Sequence, residues 1–108
     1  MGRLELVSLT PSRRKDKKWA ATFVLVDDNG KTLREVSHFG GAGYDDFTST
    51  GDVKRREKYR RRHEKDLKSR FSGQYYYTQP GVLAYHLLWG DSPDLQKNLR
   101  AYRRMMAS

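Results

Sequence analysis

The stretch Trp19-Ala20-Ala21-Thr22-Phe23-Val24-Leu25-Val26-Asp27-Asp28-Asn29-Gly30, with the return run Lys31 to Phe39, decides the fold. Its first eight residues are rich in aromatic and β-branched types, which fit a pleated and half-buried surface. The two-residue alternation of a strand puts Trp19, Ala21, Phe23 and Leu25 on one face. Asn29-Gly30 is a hairpin signal, because both residues tolerate the positive φ angles that a tight reversal needs. A β-hairpin over residues 19–39 is therefore the expected nucleus.

Upstream, Leu4 to Leu9 reads as an added strand, stopped by Pro11, which cannot donate to a ladder. Ser12–Lys18 lacks apolar periodicity and reads as an exposed basic loop. Downstream, glycines at 40, 41 and 43 end the return strand, and a polar stretch runs to Gly51. Asp52 is placed to cap a helix from Val53 to about Arg70. Along it Tyr59, His63, Leu67 and Phe71 recur every four residues, a narrow stripe that would lie across the hairpin and leave basic flanks in water. Tyr75-Tyr76-Tyr77 falls in a linker before Pro80, and at least one of the three must pack inward. Gly81 to Trp89 predicts a short buried helix ended by Gly90. Ser92-Pro93 predicts the cap and first turn of a last helix carrying Leu95, Leu99, Tyr102 and Met106. The whole is one α+β domain over 1–108: an N-terminal hairpin with an added strand, a long basic helix and two shorter helices.

Composition limits what such a domain can do. Leu, Val and Phe supply 21 of the 108 residues and Ile is absent, so the core is thin and leans on its 13 aromatics. Without cysteine there is no disulfide, thiolate nucleophile or Cys-based metal site. The apolar runs are too short to span a bilayer, and Glu5 interrupts the apolar core that a secretory signal would need. The expected setting is inside a cell, or packaged from within one.

Charge is the strongest functional signal. Lys and Arg number 22 against 13 acids, a net +9, and such a field attracts polyanions. It is also clustered: five bases in the six residues Arg13–Lys18, and nine bases with three acids from Lys54 to Lys68. Arginine outnumbers lysine 13 to 9, which suits bidentate contact with phosphate or carboxylate. The expected contacts are Arg13, Arg14, Lys15, Lys17 and Lys18 in the loop, and Lys54, Arg55, Arg56, Lys58, Arg60, Arg61 and Arg62 on the helix.

Signals for catalysis are weaker. His38, His63 and His86 lie 25 and 23 residues apart, without the short spacings of metal ligands on one helix. Packed roles are expected for His63 and His86, and His38 beside the glycines is the one worth testing. Asp45, Asp46 and Asp52 could gather around a divalent cation as in a small nuclease. Acids ahead of a basic helix more often cap it or pair with arginine. The glycines lack both the βαβ setting of a dinucleotide loop and the Gly-Lys-Ser/Thr of a Walker loop. No cofactor is expected.

The segment His38-Phe39-Gly40-Gly41-Ala42-Gly43-Tyr44-Asp45-Asp46-Phe47-Thr48 resembles a family of small uncharacterised proteins found mainly in large double-stranded DNA viruses. The similarity extends through Asp52, Arg55, Tyr59, Arg62 and His63 to Leu88-Trp89, Pro93, Leu95 and Tyr102, spanning about Lys18 to Arg104. Members often carry a histidine where this chain has Thr50, a departure that weighs against catalysis here. The resemblance implies a viral setting and no particular activity. The expectation is a non-enzymatic basic module contacting DNA or RNA phosphates without strong sequence preference. Its rival is a minor capsid protein whose arginines meet acidic patches on larger shell proteins.

Overall fold

The computed structural model describes residues 2–108. Its sheet has three antiparallel strands, β1 (Arg3–Pro11), β2 (Lys17–Val26) and β3 (Thr32–Gly41), in the order β1-β2-β3. Four helices follow: α1 (Phe47–Thr50), α2 (Val53–Arg70), α3 (Pro80–Leu83) and α4 (Leu95–Ala107). A 3₁₀ segment at Gly73–Thr78 precedes α3, and α3 runs on into a π turn at Ala84–Leu88. The α+β expectation holds.

The hairpin register sets Trp19 opposite Phe39 and Leu25 opposite Leu33. The reversal differs from the expected tight Asn-Gly turn. Gly30 N–H donates to the Asp27 carbonyl and Asp27 N–H to the Lys31 carbonyl, which makes a three-residue loop. Only Gly30 takes a positive φ, 79°, while Asn29 does not. The Asp27 side chain explains this, because its Oδ1 accepts from Asn29 N and Lys31 N at 2.9 and 2.8 Å and supplies the turn itself. In β1 the ladder continues to Pro11, tolerated on an edge strand, and a bulge between Leu6 and Ser8 leaves Val7 exposed.

One sheet face carries Leu6, Ala21, Phe23 and Phe39 into the core. Val82, Leu83, Leu87 and Leu88 close it from α3 and the π turn, and Leu99 and Tyr102 from α4. In the π turn Trp89 N–H reaches back five residues to the Ala84 carbonyl at 3.1 Å. The widened turn leads into the consecutive buried residues Leu87, Leu88 and Trp89. Gly90 has no positive φ; a Cβ there would lie 2.2 Å from the His86 carbonyl oxygen. It is glycine because of close approach, rather than as the left-handed stop expected.

Three more expectations are corrected. The stripe on α2 does turn inward, with Leu67 buried and Tyr59, His63 and Phe71 half-buried. It packs chiefly on α1 and the π turn, while α3 and α4 cover β3 and β1. The sequence could not show that Trp89 would offer its ring to Tyr59, 4.4 Å away and nearly parallel. The last helix is capped by Asp94, which accepts from Gln96 N at 2.9 Å, while Ser92 Oγ, two residues earlier, accepts from Asp94 N at 3.0 Å. The polar stretch before Gly51 contains the short helix α1. Of the three tyrosines, Tyr76 and Tyr77 pack inward and Tyr75 stays exposed.

Candidate functional site

The long helix α2 is basic almost all round, so its position decides which charges are available. At 100° per residue, Arg56, Arg60, His63 and Leu67 fall on one side and Lys54, Arg55, Lys58, Arg61, Arg62 and Lys65 on the other. No acid interrupts the second group within its arc of about 120°. Glu57 and Glu64 lie behind it and Asp66 at its far edge.

The first side is used internally. Arg60 Nη1 stands 2.8 Å from Asp91 Oδ1, and its guanidinium lies 5.2 Å from the centre of the Tyr85 ring. Hydrogen bonding from Arg60 holds the Asp91 carboxyl below the usual carboxylate range. Arg56 donates to the Asp91 carbonyl at 3.2 Å, meets Glu57 at 2.8 Å and covers the Phe47 ring at 4.9 Å. Its Nε is buried without a partner. These two arginines clamp α2 to α1 and to the Asp91 loop, so they leave the expected outward set.

The second side faces water. Lys54, Lys58, Arg61, Arg62 and Lys65 are exposed, and their side chains form no ion pair or hydrogen bond among the described residues. Arg55 reaches Asp45 at 3.7 Å with both groups half or more exposed, an arrangement worth little. Lys65 completes the flank, three residues beyond Arg62 and seven beyond Lys58, and was not among the expected contacts.

Between this flank and the end of the sheet lies an open cleft of ≈ 570 Å³. Arg55, Lys58, Tyr59 and Arg62 line one wall, Lys18 with Gly40 and Gly41 the other, and Leu88 and Trp89 the floor. Lys18 is held there by Asp46 at 2.6 Å and donates as well to the Tyr44 carbonyl. Asp46 is buried and caps α1, accepting from Thr48 N at 2.8 Å. The ring of Tyr59, stacked on Trp89, has its phenol pushed above the ordinary range by burial, against the opposing effect of Arg62.

The exposed loop expected over Ser12–Lys18 is shorter, because Lys17 and Lys18 are half-buried residues at the start of β2, and its bases therefore divide. Lys18 joins the cleft, whereas Arg13, Arg14 and Lys15 stand exposed at the β1–β2 turn, with Arg14 bridged to Asp16 at 3.0 Å. Lys17 is half-buried beside Gly41 in the register.

The groups weighed for catalysis have structural partners. Asp52 caps α2 by accepting from Arg55 N at 3.2 Å, as the sequence predicts, and Asp45 faces Arg55. Among the described residues no three histidines or acids come close enough to hold a metal ion. His38 Nδ1 lies 2.8 Å from Ser12 Oγ. His63 packs against Tyr59 with ring centres 4.3 Å apart. His86 meets the Tyr76 hydroxyl at 2.9 Å, and its pKa is pushed down to about 4 by burial, with Arg60 adding to the effect. No helix among the described residues is long and apolar enough to cross a membrane.

No curated protein and no solved structure matches the chain. The model of a family of unknown function, DUF5754, matches residues 7–63, more than half of the 108. The matched stretch contains β2, β3 and the second half of β1, the glycine turn and the part of α2 that bears Arg55, Lys58 and Arg62; the floor of the cleft, Leu88 and Trp89, lies beyond it. The chain belongs to the DUF5754 family of unknown function.

Proposed function

We propose that the chain is a non-enzymatic binding module that holds nucleic-acid phosphates without strong sequence preference, in the service of a large double-stranded DNA virus. The observation that carries this reading is the acid-free flank of α2. Among the described residues Lys54, Lys58, Arg61, Arg62 and Lys65 form no ion pair along this side, and Lys58 and Arg62 open into the cleft, where Lys18 is already taken by Asp46. Cations so arranged bind a phosphate backbone by releasing its counterions, which gives affinity with little base readout. The capping roles of Asp46 and Asp52 favour binding over metal-assisted cleavage. The viral setting rests on the similarity of the His38–Thr48 motif, and in that setting a genome is the polyanion at hand.

Retention on immobilised random-sequence DNA tests the reading. Binding at about 50 mM salt that falls by orders of magnitude at about 200 mM is expected. Reversal of charge at Lys58 and Arg62 removes binding while the thermal melt stays cooperative. Absence of retention by the wild-type protein at low salt overturns the proposal and brings forward acidic protein surfaces, such as those of a capsid, as partners. Cleavage of the DNA on addition of a divalent metal overturns the non-enzymatic part.

A further inference from the structure

We infer that the nucleic acid held in this cleft is single-stranded, and that Tyr44 is the platform on which one of its bases stacks. The inference rests on the phosphate-binding reading above and adds what that reading leaves open, the strandedness of the ligand.

Tyr44 is 76% exposed, more than any other large apolar or aromatic side chain described. It is nevertheless held in place. Its N–H donates to the Gly41 carbonyl at 3.3 Å, closing a turn whose third residue, Gly43, has φ 85°. Its carbonyl accepts from Lys18, itself fixed on buried Asp46. Its ring lies against Gly41 so closely that a Cβ there would sit 2.7 Å from Cδ2 and 3.4 Å from Cε2. Glycine at 41 thus seats the ring on the strand. A ring carried on a fixed backbone and resting against the strand has less conformational freedom to lose when a ligand arrives.

The placement matters as much as the exposure. Tyr44 lines the same cleft as Lys58 and Arg62. Tyr59 and Trp89 deeper in the cleft already stack on each other, with an interplanar angle of 9°, so Tyr44 is the ring with surface to offer. An aromatic face beside a row of cations is the arrangement that takes an unpaired base and its phosphate together. A base within a duplex has both faces covered by its neighbours and gains nothing from Tyr44. The second strongly exposed tyrosine, Tyr75, lies in a different groove, with Leu25, Leu33 and Glu35 and no cation, and provides an internal control.

The test compares a labelled oligo-dT of about 15 nucleotides with a duplex of equal length, by fluorescence anisotropy at one salt concentration. For Tyr44→Ala, binding of oligo-dT weakens by about 5- to 150-fold, the usual range for losing one base–aromatic stack. Duplex affinity is unchanged, Tyr44→Phe binds as wild type, and Tyr75→Ala has no effect. Tyr44→Leu, which keeps an apolar side chain over Gly41 without a ring, gives the same loss and serves if the alanine variant melts early. Unchanged oligo-dT binding in Tyr44→Ala overturns the inference, and so does an equal loss for both DNA forms. If wild type binds neither form, the phosphate-binding reading falls and takes this with it. If it binds both in a salt-dependent way and Tyr44→Ala is silent, only the stacking claim falls.

Discussion

Replacing Lys58 and Arg62 together by alanine is the perturbation on which the charge argument predicts a number. Each cation that neutralises a phosphate on duplex DNA contributes about −0.9 to the slope of log K against log salt. The flank offers Lys54, Lys58, Arg61, Arg62 and Lys65, which have no side-chain ion pair or hydrogen bond among the described residues. If all contact phosphate, the wild-type slope is about −4.5, and raising salt fourfold weakens binding about 500-fold. The double variant keeps three of them, so its slope is about −2.7 and the same change in salt costs only about 40-fold. Anisotropy titrations of one labelled random duplex from about 50 to 200 mM salt read both slopes directly. Arg60→Ala is the counterpart. It removes the same formal charge from the same helix, but Arg60 is turned to Asp91 and Tyr85, so the slope should stay at the wild-type value. A slope that ignores the Lys58/Arg62 change, or that shifts by about 0.9 with Arg60→Ala, would refute the division of α2 into an outward and an inward set.

Stability measurements check the scaffold. Arg60→Ala should cost about 1 kcal/mol, since its ion-pair partner Asp91 is exposed and only the ring contact is shielded, a drop in Tm of about 5 °C by circular dichroism. Asn98→Ala should cost about 2–3 kcal/mol in urea titration. Buried Asn98 donates to the Leu87 and Ser92 carbonyls at 2.9 and 2.7 Å and accepts from Ser92 N at 3.1 Å, and these backbone groups would lose their partner. His86 titrates near 4 in the folded protein against 6.5 in its unfolded reference. Between those values the unfolded chain binds more protons, so the contribution is complete above about pH 6.5 and is lost as pH falls toward 4. The loss from about pH 7.5 to 4.5 is roughly 2–3 kcal/mol, and a His86→Phe variant should lack that part of the fall.

Much of the path to the site is legible in local sequence. The β-rich run before Asp27 and the turn residues after it define the hairpin, and Asp52 marks the start of α2 because a carboxylate there meets a free amide whatever lies elsewhere in the fold. The glycine run is legible as the end of the strand, although Gly40 and Gly41 still belong to β3 and only Ala42 and Gly43 make the turn. What it seats, the Tyr44 ring, depends on side-chain contact that spacing does not reveal. The short helix α1 is hidden for a similar reason. Its four residues carry no periodicity, and the only local signal is the capping box of Asp46 with Ser49, while Lys18, 28 residues earlier, holds the buried Asp46 carboxylate.

The division of the arginines marks the limit of reading along the chain. Arg55, Arg56, Arg60, Arg61 and Arg62 are chemically alike, and helical periodicity states only which of them share a side. Two residues 30 to 35 positions away choose the side that is buried: Asp91 draws in Arg60 and Arg56, and Trp89 receives Tyr59. Sequence alone determined that this is a small basic α+β domain, because turn chemistry, capping and net charge act within a few residues. Tertiary structure alone decided which cations remain for a partner, because an arginine is available only where folding has not already brought it an acid or a ring.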